Sequence, residues 1–253
     1  MFTEERRDKI LDMLEINGRI LAKDVAEEFG LSIDSIRRDL SIMEDQGLLK
    51  RTHGGAIPIG NSRTMPQPPS LRYGNGNTYQ NAIAKTACTY IQKEQTVFIG
   101  GAAIHYVMLK YLPNDFDFTV VTNSVEVAYH LREMKNIQTY LIGGHVKSSG
   151  NMTDAIATEL ARQFTTDLCF AAAGGLSEKG LSTATPEVAV FHKTIFDNSR
   201  KIVSLIEHTK FGIDMFSRMY PLEKLDVVIT DEETPQDEID LIMARGMEVL
   251  IAK

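Results

Sequence analysis

Residues 30–57 read GLSIDSIRRDLSIMEDQGLLKRTHGGAI, and their reading decides the N-terminal fold. Ser32 suits a helix N-cap, because its hydroxyl can accept from a backbone N–H that the first turn leaves unpaired. Behind it Ile33, Ile36, Leu40 and Met43 recur at spacings of 3, 4 and 3, the stripe of a helix with one buried face. Gly47 stops that helix. Leu48 to Arg51 is then strand-like, and His53-Gly54-Gly55-Ala56-Ile57 can turn and return as a second strand.

Two helical patterns precede this stretch. Ile10, Leu11 and Leu14 line the first, which Asn17-Gly18 ends; Leu21, Val25, Ala26 and Phe29 line the second, which Gly30 closes. Helix, glycine turn and Ser-capped helix make a helix-turn-helix, and the hairpin after it makes a wing. In such a unit the exposed face of the third helix enters the major groove of double-stranded DNA. Burial of the apolar stripe leaves Asp34, Ser35, Arg37, Arg38 and Ser41 facing outward. An arginine can grip guanine bidentately, and a serine can meet a phosphate or a base. Lys50, Arg51 and His53 would stand on the wing, suited to phosphates. Residues 1–57 hold 9 Lys+Arg against 12 Asp+Glu. The acids gather in the first two helices, while the third helix and wing carry Arg37, Arg38, Lys50 and Arg51 together. The acidic remainder predicts that one copy binds weakly, so tight binding should need a dimer or tetramer.

Residues 58–77, with four prolines and three glycines and no sustained periodicity, read as a linker. From residue 78 to 253, short β-branched apolar runs alternate with helical patterns. The runs are Thr96–Ile99, Phe118–Val121, Gln138–Ile142, Leu168–Ala173, Lys201–Ile206, Val227–Thr230 and Glu248–Ile251. That alternation predicts an α/β domain, a mostly parallel sheet covered by helices on both faces. Ligands of such sheets sit at the carboxyl ends of the strands. Gly100-Gly101-Ala102, Thr122-Asn123-Ser124, Gly143-Gly144, Gly174-Gly175 and Lys210 therefore become candidates, their amides, hydroxyls and ammonium able to cradle a phosphate.

Other chemistries are disfavoured. G-x-G-x-x-G is missing after Thr96–Ile99, and the 174–183 loop lacks a G-K-[ST] ending. The two cysteines, Cys88 and Cys169, and the six scattered histidines have no ligand spacing, so neither metal nor cofactor is expected. No paired base or nucleophile is evident beyond Glu187 and Glu207 as isolated acids, so no enzyme is expected. A net charge of −7 argues against nonspecific binding to nucleic acid or membranes. The charged start MFTEERRDKILDML is unlike a signal peptide, and a cytoplasmic location is the expectation.

The chain resembles the DeoR family of bacterial transcription regulators. Glu5-Arg6-Arg7, Ile36-Arg37-Arg38-Asp39-Leu40, Gly47-Leu48-Leu49 and His53-Gly54-Gly55-Ala56 carry the likeness in the first half. Val120-Val121-Thr122-Asn123-Ser124, Gly143-Gly144, Asp167 with Phe170, Gly174-Gly175, Lys179-Gly180-Leu181-Ser182, Lys210-Phe211-Gly212 and Ile229-Thr230-Asp231 carry it in the second. The resemblance implies that Ser35, Arg37, Arg38 and the wing from Lys50 through Gly54 and Gly55 hold operator DNA. It also implies a sugar-phosphate isomerase-like second domain that senses a phosphorylated sugar, with Lys179 among its matching positions. The expected function is a repressor of a sugar-metabolism operon that works as a homo-oligomer away from membranes. The alternatives are an isomerase-like enzyme with a DNA-binding appendage, or a regulator without a ligand. One departure stands out: where the family has D-x-G-T-T, this chain has Gly100-Gly101-Ala102-Ala103-Ile104, leaving only backbone groups there.

Overall fold

The computed structural model describes residues 3–17, 19–52, 54–58 and 73–253. His53 and most of the expected linker, residues 59–72, lie outside the described residues. The chain divides into two compact units, one of residues 1–61 with Pro235–Glu238 and the other of residues 62–234 and 239–253.

In the first unit α1 (Thr3–Asn17) leads to a two-residue strand β1 (Ile20–Leu21), then α2 (Ala22–Phe29), α3 (Ile33–Asp45), β2 (Leu49–Arg51) and β3 (Gly55–Pro58). Gly30 takes the left-handed conformation, φ +65°, that ends α2 and returns its N–H to Ala26 and Glu27. Ser32 Oγ accepts from the Ser35 amide, so the expected N-cap is present. The three strands form an antiparallel sheet in the order β1-β3-β2. Ile10, Leu14, Val25, Ile36, Leu40, Met43 and Leu49 fill the core.

Two expectations need correction. Leu21 belongs to β1, paired with Gly55, and not to the second helix. Ile33 is 39% exposed rather than buried, because the first turn of α3 runs past the core and leaves Leu31, Ser32, Ile33 and Asp34 all exposed.

The second unit is built on seven parallel strands. In chain order come α4 (Thr78–Cys88), β4 (Thr96–Ile99), α5 (Ala103–Met108), β5 (Phe118–Thr122), α6 (Val125–Leu131), β6 (Ile137–Leu141), α7 (Ala155–Ala161) and β7 (Leu168–Ala171). A hairpin of β8 (Gly175–Ser177) and β9 (Gly180–Thr183) follows, then α8 (Pro186–Asp197), β10 (Ile202–Leu205), β11 (Ser217–Tyr220), β12 (Val227–Asp231), α9 (Gln236–Met243) and β13 (Glu248–Ala252). The large sheet runs β13-β12-β10-β7-β4-β5-β6, while β11-β9-β8 make a small antiparallel sheet. Residues 174–183, expected as a loop, thus form most of a hairpin.

Side chains alternate between the two faces of the large sheet, and both faces are covered. Val97, Ile99, Phe170, Val203 and Ile229 pack with Ile83, Met108 and Leu131 of α4, α5 and α6. Phe98, Cys169 and Val228 point the other way, onto Ala161, Phe191 and Ile242 of α7, α8 and α9 and the small sheet's Leu176 and Leu181. Full burial of a side chain such as Phe98 or Phe170 stabilises by about 1.5–3 kcal/mol. The two faces give the strands their continuous apolar character.

Candidate functional site

Most of the residues expected to contact DNA lie on α3. Arg37 is 58% exposed and pairs with Asp34 at 3.6 Å, one turn earlier. Arg38 is exposed, and no ion pair joins it among the described residues. Ser35 and Ser41 are half-buried on the same helix. The Ser35 hydroxyl lies 2.9 Å from Ser32 Oγ, so part of its hydrogen-bonding capacity serves the cap. In the wing, Lys50 faces Ile57 and Arg51 faces Ala56 across the hairpin. The Arg51 amide donates to Glu44 Oε1 at 2.8 Å, which fixes the wing's base to α3, and the Arg51 side chain is exposed.

Gly54 and Gly55 turn out to hold the unit together. The Gly54 carbonyl accepts from the Ala22 amide at 2.8 Å. Gly55 is buried, and a Cβ there would lie 1.8 Å from the Ile20 carbonyl oxygen. Sequence reasoning also missed the role of Asp39. This residue is 3% exposed and accepts from Arg6 Nε at 2.6 Å and from Arg7 Nε and Nη2 at 3.2 and 3.1 Å. One carboxylate therefore fastens α1 to α3. The signal was available, since Ile36, Asp39, Leu40 and Met43 share one stripe and a charge on that stripe needs a partner.

In the second unit the strand order reverses between β4 and β7, because β5 and β6 lie on one side of β4 and β10, β12 and β13 lie beyond β7. Such a reversal opens a crevice at the carboxyl ends. The order β10-β7-β4-β5 makes neighbours of the loops holding Lys210, Gly174, Gly100–Ala102 and Thr122–Ser124. Gly143-Gly144 follow the edge strand β6, where Gly144, at φ +150°, passes close to the Asp154 carboxylate that caps α7.

The roles inside the crevice differ from residue to residue. Thr122, Asn123 and Ser124 are almost wholly buried. Ser124 caps α6 through Val127 N at 3.4 Å, and Thr122 Oγ1 accepts from the Ser124 amide at 3.2 Å. Asn123 Nδ2 donates to the Met152 carbonyl at 2.9 Å, while its Oδ1 is buried without a partner among the described residues. Asn151, missed by the sequence reading, donates to the Gly101 carbonyl at 3.2 Å, and its Oδ1 is likewise unpartnered. Lys210 is half-buried and enters no ion pair among the described residues. Lys179 lies instead at the hairpin tip, its ammonium 3.1 Å from Asp214. Gly175 belongs to β8, where a Cβ would meet the Ile213 carbonyl oxygen at 2.3 Å.

Beside Lys210, the Glu207 carboxylate accepts from Asn77 Nδ2 at 3.2 Å and Gln80 Nε2 at 2.9 Å, the capping pair of α4. His208 Nδ1 lies 2.7 Å from Asp231 Oδ1, and since an ionised carboxylate only accepts, the imidazole donates. Burial would by itself raise the Asp231 pKa. The hydrogen bonds from the His208 ring and amide and from Glu233 N outweigh it and hold the carboxyl below its ordinary value. A depressed carboxyl pKa stabilises the fold above the unfolded value of about 3.9 and loses that contribution as pH falls through the folded value. Asp231→Asn is therefore expected to melt lower than wild type at neutral pH and to lose less stability below about pH 4. Melting temperature followed across that range checks both the offset and the shallower acid limb.

The family model for the DeoR-like helix-turn-helix domain matches residues 6–61, and that for the DeoR C terminal sensor domain matches residues 77–232. The chain belongs to the DeoR family. It is a transcriptional regulator with a DNA-binding half and a sensor half. The HTH-type transcriptional regulator GolR of Listeria innocua is 28% identical over 100% of both chains. The HTH-type transcriptional repressor GlcR of Bacillus subtilis is 28% identical over 100% of this chain and 98% of its own. The lactose phosphotransferase system repressor of Lactococcus lactis is 30% identical over 93% and 94%. Ribose 5-phosphate isomerase A from Methanocaldococcus jannaschii, a solved structure, overlays 53% of this chain and 54% of its own at 13% identity and a TM-score of 0.40. Among the described residues no helix is long and apolar enough to cross a membrane.

Against the DeoR pattern, the altered loop has a local logic. A Cβ at Gly100 would already meet the His105 ring at 3.2 Å. His105 is 1% exposed and its Nδ1 accepts from the Ala102 amide at 3.3 Å. The Gly101 carbonyl accepts from both Tyr73 Oη, at 2.8 Å, and Asn151. The space and one acceptor of the loop are thus occupied by the protein's own side chains.

Proposed function

We propose that this DeoR-family chain represses a sugar-metabolism operon and that a phosphorylated sugar alters its operator affinity. Residues 1–57 would bind DNA, 58–77 would link, and 78–253 would sense the effector and assemble the homo-oligomer. The observation that carries the reading is the presence of both family matches in one chain, the helix-turn-helix at 6–61 and the sensor at 77–232. Relatives named as a lactose phosphotransferase system repressor and a putative aga operon repressor support the sugar. So do the buried, unpartnered oxygens of Asn123 and Asn151, which suit donation from sugar hydroxyls. Lys210 and the backbone amides at Gly100–Ala102 and Gly174 would take the charged end. Ser35, Arg37, Arg38, Ser41, Lys50, Arg51 and His53 would contact the operator, Gly54 and Gly55 shaping the wing.

The chain acts in this reading by binding and not by catalysis. A ligand can shift operator affinity only through unequal affinity for two states. Arg37→Ala with Arg38→Ala is expected to weaken operator binding by at least about fivefold per half-site, given about 1–3 kcal/mol for a bidentate base contact. An operator selected from random duplexes and titrated with both proteins checks this. Equal operator affinity with and without each member of a sugar-phosphate panel would sink the effector mechanism for those ligands, and isomerisation by the intact protein would favour an enzyme.

A further inference from the structure

The exposure of Ile33 has no use in the core of the first unit. An exposed apolar residue is by itself ordinary. Here, however, Leu31 and Ile33, 38% and 39% exposed, stand on either side of the Ser32 cap. They occupy the end of α3 that leads into the major groove in a helix-turn-helix. Ile33 lies one turn before Arg37, on the same side of the helix. The guanidinium of Arg37 is 58% exposed, and the exposed Arg38 follows it. Base edges in the major groove offer donors, acceptors and a single apolar feature, the thymine C5-methyl. Ser35 beside Ile33 already spends hydrogen-bonding capacity on the Ser32 hydroxyl. A branched apolar side chain at the reading end of a helix that presents Arg37 and Arg38 fits that methyl and no other edge group.

We propose that Ile33 reads a thymine 5-methyl group in each operator half-site, next to the base or phosphate taken by Arg37. The inference rests on the DNA-binding part of the proposed function. Water leaves both the isoleucine and the methyl when they meet, so the contact discriminates thymine from uracil without altering the charge balance.

The test uses the full-length protein and a selected operator in which each thymine is replaced singly by deoxyuridine, which removes the methyl and nothing else. Wild type is expected to lose roughly fourfold in affinity at one thymine per half-site, the worth of one buried methyl group. Ile33→Ala is expected to bind wild-type operator with that same loss, to ignore the substitution, and to keep the wild-type melting temperature and salt dependence, since no phosphate contact changes. Indifference of wild type to every deoxyuridine, or sensitivity that persists in Ile33→Ala, overturns the assignment. Failure of wild type to select any duplex overturns the DNA-binding reading instead.

Discussion

Asp39→Ala is expected to strip the N-terminal unit of most of its stability while the α/β unit keeps its own. The carboxylate is 5% exposed and holds Arg6 and Arg7, whose side chains are 15% and 20% exposed. Removing it leaves two largely buried guanidiniums facing each other with no counter-charge. Breaking a buried pair in this way costs about 3–5 kcal/mol, and the partial exposure of both arginines places this case near the lower figure. A small unit has a total stability of about 5 kcal/mol, so most of it is lost. Hydrogen exchange resolved by segment checks the claim. Protection should fall by about a hundredfold in α1 and α3, whose amides around Ile10 and Leu40 are core positions, and stay unchanged around Phe98 and Phe170. The midpoint for loss of operator binding in urea should fall together with that protection. Unchanged protection in α1 would mean that the two arginines find other partners.

Gly55→Ala is expected to be almost as damaging, for a different reason. The new Cβ would sit 1.8 Å from the Ile20 carbonyl oxygen, 2.8 Å from its carbon and 2.9 Å from Leu21 Cα. All three are backbone atoms, so no side chain can swing aside. The Leu21–Gly55 pairing must open and take the wing with it. Overpacking of this kind costs about 1–3 kcal/mol. Urea denaturation of the variant, compared with its operator affinity, separates the two possible meanings of the motif. A drop in stability in step with affinity marks Gly55 as scaffold. A drop in affinity at unchanged stability would return it to the DNA contacts.

These two residues show how far the sequence could be read. I-R-R-D-L and H-G-G-A mark the family because they combine groups that face outward with groups that join elements, and a string of letters does not separate the two. Asp39 stood on the apolar stripe and could have been found there. Gly55 could not, because its reason is the close passage of β1, a strand only two residues long. The parallel strands were legible because both faces are buried, which makes runs such as Val97-Phe98-Ile99 continuous. The small sheet was missed because Gly175-Leu176-Ser177 and Gly180-Leu181-Ser182-Thr183 have turn composition, and it is the pairing of β9 with β8 on one side and β11 on the other that makes strands of them. Ile33 followed the stripe by spacing but not by burial, since periodicity cannot tell where a core ends. At the crevice, Thr122 and Ser124 have the same letters whether they cap a helix or hold a ligand. Asn151 lay far from any strand run and gave no signal.

Tyr73 is the first described residue after the stretch that joins the two units. Its ring stacks on Tyr106 at 4.8 Å, and its hydroxyl holds the Gly101 carbonyl. Tyr73 is therefore moored to the loop that follows β4. A molecule that settled against Gly101 would compete with that mooring directly.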